Sequence, residues 1–397
     1  MSELGTIYTE ELVKFVQDHL EEDPALLLLK YGGKTSFDLK FAIQQISARQ
    51  KSRHKIPSWA AHKQLLFPNS LSMEQASSEA TAIYKSQFVQ GDHLLDLTGG
   101  FGIDAYFLSR NFQKAIYVER DKELCQIALH NFEMLIPGKI EVVHAEAGEF
   151  IEKTPFNFDL IYLDPARRGK FNQKLYKLED CEPNVVSLWQ QLMLKSKMVM
   201  IKTSPIIDLK SAIRLLPDIQ QVWVIALGNE VKEVVLIWKK GGNVPVPSIS
   251  CINLKSGEET LFTFDFEEEE ALEIPYTPAS NYLIEPNAAI LKAGAFKAFA
   301  QRYALGKLHP NTHLYTSSSQ PKNLQGRIFK IKQEIKNPSK ELKKLIPKGL
   351  VNVISRNHPL DASAFKKQYK LRDGGEDYLI ACKGPNGNQV FWCERLG

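Results

Sequence analysis

Three groups of residues in this 397-residue chain have types and spacings suited to chemistry. The first is DLTGGFGIDAYFLSR, residues 96–110, where Gly99, Gly100 and Gly102 follow the short apolar run HLLDL. Glycines at such a turn let the backbone bend sharply and approach a ligand without a Cβ in the way. Asp96, Thr98 and Asp104 flank the turn with oxygen acceptors. The second group is Glu119 and Arg120 in AIYVERD, with Glu119 19 residues after Gly100. At that distance an acidic side chain ending a second strand can accept hydrogen bonds from ribose hydroxyls. The third is YLDPARRG. Asp164 offers a carboxylate, Pro165 fixes the backbone beside it, and Arg167 and Arg168 supply forked donors for phosphate. Between the last two groups, HAEAGEF offers Glu146 and the backbone at Ala147 for an adenine amino group.

Each feature has a plainer reading alone: a tight turn, a decorated strand end, an Asp-Pro turn. Their order along alternating elements argues against it. Residues 1 to about 90 read as helical, with apolar residues at helical spacing in EELVKFVQDHL, PALLLLKY, FDLKFAIQQISARQ and SMEQASSEATAIYKSQF. From His93 to Trp238 the pattern changes to short apolar runs: HLLDL, AIYVE, IEVVH, FDLIYLD, KMVMIK, QVWVIAL and EVVLIW. Helical stretches separate the first six, which predicts a parallel sheet covered on both faces. Only GNEVK separates the last two, too short for a crossover, so they are expected to pair antiparallel. Seven strands with a returning last strand are the arrangement of class I S-adenosylmethionine-dependent methyltransferases. A dinucleotide fingerprint would read G-x-G-x-x-G, so the GGxG spacing disfavours a nicotinamide dehydrogenase.

After Lys240, GGNVPVPS reads as a linker, followed by strands ISCINL and ETLFTFDF. A mixed α+β tail follows from about Tyr276, with one helix over NAAILKAGAFKAFAQRY. The segments FPNSLSMEQASSEATAIYKSQF, DLTGGFGIDAYFLS, YVERD, YLDPARRG, LGNEVKE and YLIEPNAAILKAGAF, in this order, resemble bacterial class I methyltransferases with a C-terminal THUMP-like domain, common in Bacteroidetes. The resemblance implies an α/β fold in three parts. These are an α-helical N-terminal domain (1–90), a Rossmann-like seven-stranded core (91–240) and an α+β THUMP-like, ferredoxin-like region (241–397). It also implies S-adenosylmethionine as cofactor. Carried over by position, Gly99, Gly100 and Gly102 would line its methionine part, Glu119 its ribose, and Asp164 with Pro165 the reacting edge. Gln75, Ser77 and Ser78 stand where related RNA enzymes close a lid over the cofactor.

Charge points to the partner. The net charge is +4, yet Pro321–Gly397 holds 16 Lys and Arg against 7 Asp and Glu. Seven lysines fall between Lys330 and Lys348, among them Lys343 and Lys344. A solvated helix face explains such a cluster; so does capture of an anionic polymer. The five cysteines form no CxxC pair, so disulfide frameworks and zinc modules are not expected. No metal, membrane span or secretory signal is expected either, and the chain reads as cytoplasmic.

The acceptor is narrowed by what is missing. Methylation of a pyrimidine carbon needs a cysteine nucleophile near the ends of strands four or five. DPARRG and KTSPIIDL contain none, and Cys181 in LEDCEPN reads as a helix-loop residue. The motif also lacks the second proline and aromatic residue of amino-methylating enzymes. The expected activity is therefore direct methyl transfer to a nitrogen or oxygen of a structured RNA. Alternatives are a non-catalytic RNA-binding or assembly protein with the same fold, and a small-molecule or protein methyltransferase. The RNA species and the oligomeric state are left open by the sequence.

Overall fold

The computed structural model describes residues 9–167, 177–242, 244–255 and 257–396. The chain divides into two compact units, Met1–Val222 with Glu233–Pro245, and Trp223–Lys232 with Val246–Gly397.

The first unit begins with helices α1 (Glu10–Asp18), α2 (Pro24–Tyr31) and α3 (Leu39–Ser52), which bury Leu12, Val16, Leu27, Ala42 and Ile46 together. Each starts at a side-chain cap, Thr9, Asp23 or Asp38, that accepts a backbone N–H of the first turn. Helix α4 (Pro57–Ala61) follows. The stretch expected as one helix over SMEQASSEATAIYKSQF is two, α5 (Ser70–Gln75) and α6 (Glu79–Ser86). Ala76 and Ser78 are extended, and the Ser78 hydroxyl accepts the Thr81 N–H at 3.2 Å. That serine competes with helix continuation and starts a new one instead.

Side chains stitch this helical part to the rest of the unit. Gln45 exchanges two hydrogen bonds with the Phe67 backbone, at 2.8 and 2.9 Å. Buried Arg49 donates to the carbonyls of His62, Lys63 and Leu65. Asn131 exchanges two more with Leu66.

The core alternates as the apolar runs require: β1 (Gly91–Asp96), α7 (Ile103–Ser109), β2 (Phe112–Glu119), α8 (Lys122–Leu135), β3 (Ile140–His144), α9 (Ala147–Lys153) and β4 (Leu160–Leu163). A two-stranded ribbon, β5 (Ala166–Arg167) with β6 (Cys181–Glu182), leads to α10 (Val185–Lys195), β7 (Met198–Thr203) and α11 (Leu209–Leu215). Strands β3, β2, β1, β4 and β7 are parallel neighbours in that order. Every residue of β4 and β7 is buried, as expected for strands covered on both faces.

Strands β8 (Gln221–Leu227) and β9 (Glu230–Lys239) form the returning hairpin. Gly228 and Asn229, both at positive φ, make its two-residue turn. From Val234 to Lys239, β9 pairs antiparallel with β7.

The second unit contains the tip of that hairpin and the antiparallel pair β10 (Ser248–Lys255) and β11 (Glu258–Phe264), with β10 beside β8. Helix α12 (Phe266–Ala271) carries four consecutive glutamates, Glu267 to Glu270. The helix expected over NAAILKAGAFKAFAQRY is broken at Gly294 (φ +82) into α13 (Ala288–Ala293) and α14 (Phe296–Arg302). With β12 (Tyr282–Pro286), the unit adds β13 (Gly306–His309), β14 (Thr312–Ser317), β15 (Gly326–Glu334), α15 (Pro338–Leu345), β16 (Asn352–Arg356), α16 (Ala362–Tyr369), β17 (Asp377–Gly384) and β18 (Gly387–Leu396). Its sheet runs β13-β14-β12-β15-β18-β17-β16. Helices α15 and α16 bury Leu342 and Phe365 with Leu379, Ala381 and Val390 of the sheet.

Candidate active site

The glycine turn leaves β1 pinned on both sides. Leu97 N–H donates to the Tyr162 carbonyl of β4 at 3.0 Å, and Gly99 N–H to the Val118 carbonyl of β2 at 2.8 Å. Gly100 (φ +55) and Gly102 (φ +86) are left-handed. Packing beneath the turn explains two of the three glycines. A Cβ on Gly99 would lie 2.1 Å from the Tyr117 ring, and one on Gly102 2.7 Å from the Phe132 ring. The Cβ direction of Gly100 meets only the Thr98 carbonyl, at 4.0 Å. Gly100 is therefore the glycine of the three whose Cβ direction is open. Phe101 anchors the turn from the other side, its ring 5.0 Å from Trp59 and 5.5 Å from Phe67 of the helical part.

Glu119, half-buried at the end of β2, reaches across this turn. Its carboxylate accepts the Gly100 N–H at 2.8 Å on one oxygen and the Asp121 N–H at 2.8 Å on the other. The Tyr117 hydroxyl, its pKa raised well above 10 by burial and by Glu119, donates to the Gly100 carbonyl at 2.5 Å. Arg120 turns away to pair with Glu182 of β6 at 2.9 Å. Glu146 is exposed at the start of α9, and Ala147 behind it is buried.

Asp164 stands one residue beyond β4, and its N–H donates to the Thr98 hydroxyl at 2.6 Å. That bond ties the edge of β4 directly to the glycine turn. The Asp164 carboxylate is partly exposed and pairs with the Lys202 ammonium of β7. Asp96, fully buried, accepts the Thr98 N–H at 3.1 Å; burial, with Asp104, Asp164 and Glu119 nearby, raises its pKa well above the usual range. Pro165 is buried. The Arg167 side chain and Arg168 lie outside the described residues.

Behind this edge lies a buried ionic cluster centred on Lys85 of α6. Its ammonium is 3.0 Å from Asp104 Oδ1, 2.7 Å from Glu233 Oε1 and 3.3 Å from the Ser77 hydroxyl. Asp104 Oδ2 also accepts from Ser77 at 2.6 Å and Tyr162 at 2.7 Å. Burial pulls the Asp104 pKa upward, but Lys85, Lys202 and the two hydroxyl donors outweigh it and the net shift is downward. For Lys202, burial alone would lower the pKa; Asp164, Asp104 and Glu233 reverse that and keep it charged.

Sequence reading singled out Asp104, Ser77 and Asp164 but not Lys85, Lys202 or Glu233. The available signal was Lys202 closing the apolar run KMVMIK and Glu233 opening EVVLIW, since ionised groups are rarely buried unless paired. The three lid candidates diverge. Ser77 is buried in this cluster, Ser78 caps α6, and Gln75 is exposed at the end of α5. Cys181 is a strand residue rather than a helix-loop one. It pairs in register with Arg167 three residues beyond Asp164, fully buried, with its thiol toward the Lys177 carbonyl at 3.4 Å.

Residues 69–214 match the family described as conserved hypothetical protein 95. Residues 282–324 match a ferredoxin-like domain and residues 326–395 a THUMP domain-like family. The crystal structure of a protein assigned as a methyltransferase in Porphyromonas gingivalis W83 is 32% identical, with a TM-score of 0.89 and 100% of both chains covered. The chain belongs to the bacterial class I S-adenosylmethionine-dependent methyltransferases with a C-terminal THUMP-like domain. An uncharacterized S-adenosylmethionine-dependent methyltransferase of Mycobacterium tuberculosis is 22% identical over 307 residues, 76% of this chain and 80% of that one. Among the described residues of this methyltransferase, no helix is long and apolar enough to cross a membrane. No group of three or more His, Cys, Asp or Glu side chains among them is arranged to hold a metal ion.

Two variants test the packing and the buried charges. Gly99→Ala forces a methyl group into the Tyr117 ring, so urea unfolding is expected to show a loss of about 1–3 kcal/mol; unchanged stability would show that the turn yields freely. Lys85→Met leaves Asp104 and Glu233 buried without their cation, with an expected cost of about 3–5 kcal/mol at neutral pH. Asp104 is the depressed carboxylate, so its contribution is present above its ordinary value of 3.8 and is lost as the pH falls below it. The wild-type advantage over Lys85→Met is therefore expected to shrink in acid, and a pH-independent difference would contradict this account.

Proposed function

We propose that this methyltransferase transfers a methyl group to a nitrogen or oxygen of a structured RNA. The observation that carries the reading is the bond from Asp164 N–H to the Thr98 hydroxyl, which puts a carboxylate one residue from the glycine turn. The turn and Glu119 fit the cofactor on their own chemistry. Each Glu119 oxygen uses one acceptor site on a backbone N–H, leaving a second on each for the two ribose hydroxyls. Gly100 offers the open backbone face beside it.

When bound, S-adenosylmethionine supplies a methyl group on a sulfonium, open to displacement by a lone pair. The chain's part is position. Lys202, charged and buried on β7, holds the Asp164 carboxylate in place. Asp164 then orients the acceptor by taking a hydrogen bond from its N–H or O–H. Beneath them, the Asp104–Lys85–Glu233 cluster fixes the strands from which these residues project.

Direct transfer is supported by the cysteines, all five of which are buried. Cys181 is the one near Asp164, and its full burial disfavours attack on a base. RNA as acceptor is supported by the basic tail. Lys343 and Lys344 are exposed on α15, whose Leu342 is buried in the unit's core.

The deciding experiment incubates the purified chain and labelled S-adenosylmethionine with total RNA from a strain lacking the gene, then locates the modified nucleoside. Label entering only protein or small molecules would defeat the RNA reading. Asp164→Asn is expected to lose most turnover and retain affinity for S-adenosylhomocysteine, because the interaction it removes is made in the transition state. Cys181→Ala is expected to remain active; a covalent RNA adduct lost in that variant would reassign the chemistry to carbon.

For the cofactor, Glu119→Gln is expected to weaken S-adenosylhomocysteine by about 1–3 kcal/mol in calorimetry. Tight NAD binding by the wild type would overturn the assignment. For the tail, Lys343→Ala with Lys344→Ala is expected to lower the salt slope of RNA binding by roughly one to two units without changing cofactor affinity.

A further inference from the structure

The motif YLIEPNAAILKAGAF contains a carboxylate that the methyl-transfer site does not use. Glu285, on β12, is only 2% exposed. One of its oxygens accepts from Arg327 Nε at 2.8 Å and from Arg327 Nη2; the other accepts from Arg356 Nε at 2.7 Å and forms an ion pair with Arg356 Nη2 at 2.7 Å. Arg327 faces Glu285 in register on the neighbouring strand β15, and Arg356 ends β16. A buried carboxylate thus fixes two guanidiniums that remain 28% and 41% exposed.

Both arginines line an open cavity of about 580 Å³, with Asn357, His358 and Asp361 also on its wall. Arg356 Nη1 donates to the Ser355 carbonyl at 2.9 Å. A guanidinium carries five N–H donors, so among the described residues three of Arg327 and two of Arg356 have no protein acceptor. Asn357 sits in the left-handed region (φ +53), its amide donating to the Thr312 hydroxyl at 3.1 Å. Asp361 has one oxygen committed to the Ala364 N–H at 2.8 Å, capping α16. The two carboxylates balance the two guanidiniums in formal charge. Selection therefore rests on directed N–H donors held at fixed angles, and planar forked donors match the paired oxygens of a phosphate group.

We infer that this cavity is a phosphate-binding site, taking a phosphodiester of the RNA substrate on the guanidinium edges that Glu285 presents. The source of the phosphate rests on the RNA reading above; the site itself does not. The alternative source is a free mononucleotide, which the cavity is large enough to admit.

The test uses the full chain and two variants. Arg356→Gln removes one fork but also loosens Glu285. Asn357→Asp leaves the clamp intact, tolerates the left-handed backbone and places a carboxylate on the wall. RNA binding is measured by anisotropy across salt concentrations, AMP binding by calorimetry, and folding by circular dichroism. If RNA supplies the phosphate, folded Asn357→Asp is expected to bind RNA about tenfold more weakly. Folded Arg356→Gln is expected to do the same with a salt slope lower by about one. S-adenosylhomocysteine affinity is expected to stay unchanged in both. Loss of AMP binding in Asn357→Asp with RNA binding intact assigns the site to a free nucleotide instead. A folded Asn357→Asp that binds both as the wild type does overturns the proposal, as does a wild type that binds neither. A wild type that binds AMP but no RNA defeats the RNA reading and leaves the site to the AMP comparison.

Discussion

The first unit depends on a lysine with no exposed surface. Lys85 places its ammonium between Asp104 and Glu233, so one cation joins α6, α7 and β9. Removing such a charge from water costs several kcal/mol, a cost offset only when the partners are close and their remaining valences are filled. Lys85 sits 3.0 Å from one Asp104 oxygen, and Ser77 and Tyr162 donate to the other. The cluster therefore acts as a constraint. Any arrangement that moves α6 or the β9 strand away leaves an unpaired ion in the interior, so these elements are held to one geometry.

The same constraint reaches the candidate site through Lys202. That residue lies on β7, pairs with Asp164, and feels Asp104 and Glu233 as well. The acidic edge of the site is thus an extension of the interior charge pattern. A comparable economy holds at the glycine turn. The Tyr117 ring fills the space that a side chain at Gly99 would need, while its hydroxyl donates to the Gly100 carbonyl. Packing beneath the turn and the orientation of the Gly100 carbonyl are set by one side chain.

Much of this was legible in the chain because it follows from local pattern. Short apolar runs at regular intervals marked the strands of the core, and GNEVK marked the returning hairpin. What escaped was non-local or stereochemical. Lys85 and Glu233 are 148 residues apart, and no periodicity pairs them. Helix breaks at Ser78 and Gly294 depend on whether a serine caps or a glycine turns left-handed, which apolar spacing does not report. All three glycines of the turn were read as lining a ligand, whereas the need for glycine at Gly99 and Gly102 also comes from Tyr117 and Phe132, residues distant in sequence.

A shared device links these misses. In each unit a carboxylate supplied by one segment organises donors from another. Glu269, one of the four consecutive glutamates of α12, accepts the N–H groups of Phe296, Lys297 and Ala298 and so caps α14, which has no side-chain cap of its own. Glu285 holds two arginines from later strands, and Asp104 holds a lysine from an earlier helix. Such residues look ordinary in sequence because their partners are remote. For Glu285 and Asp104 burial gives them away, since an ionised group stays inside only when a remote donor meets it. Where Glu269 meets backbone N–H groups, the result is a helix terminus fixed in space. Where Glu285 meets guanidiniums, each of which has more donors than one carboxylate can use, the unused N–H groups face outward in a fixed array. That surplus separates a carboxylate that only builds the fold from one that also presents a surface able to recognise an anion.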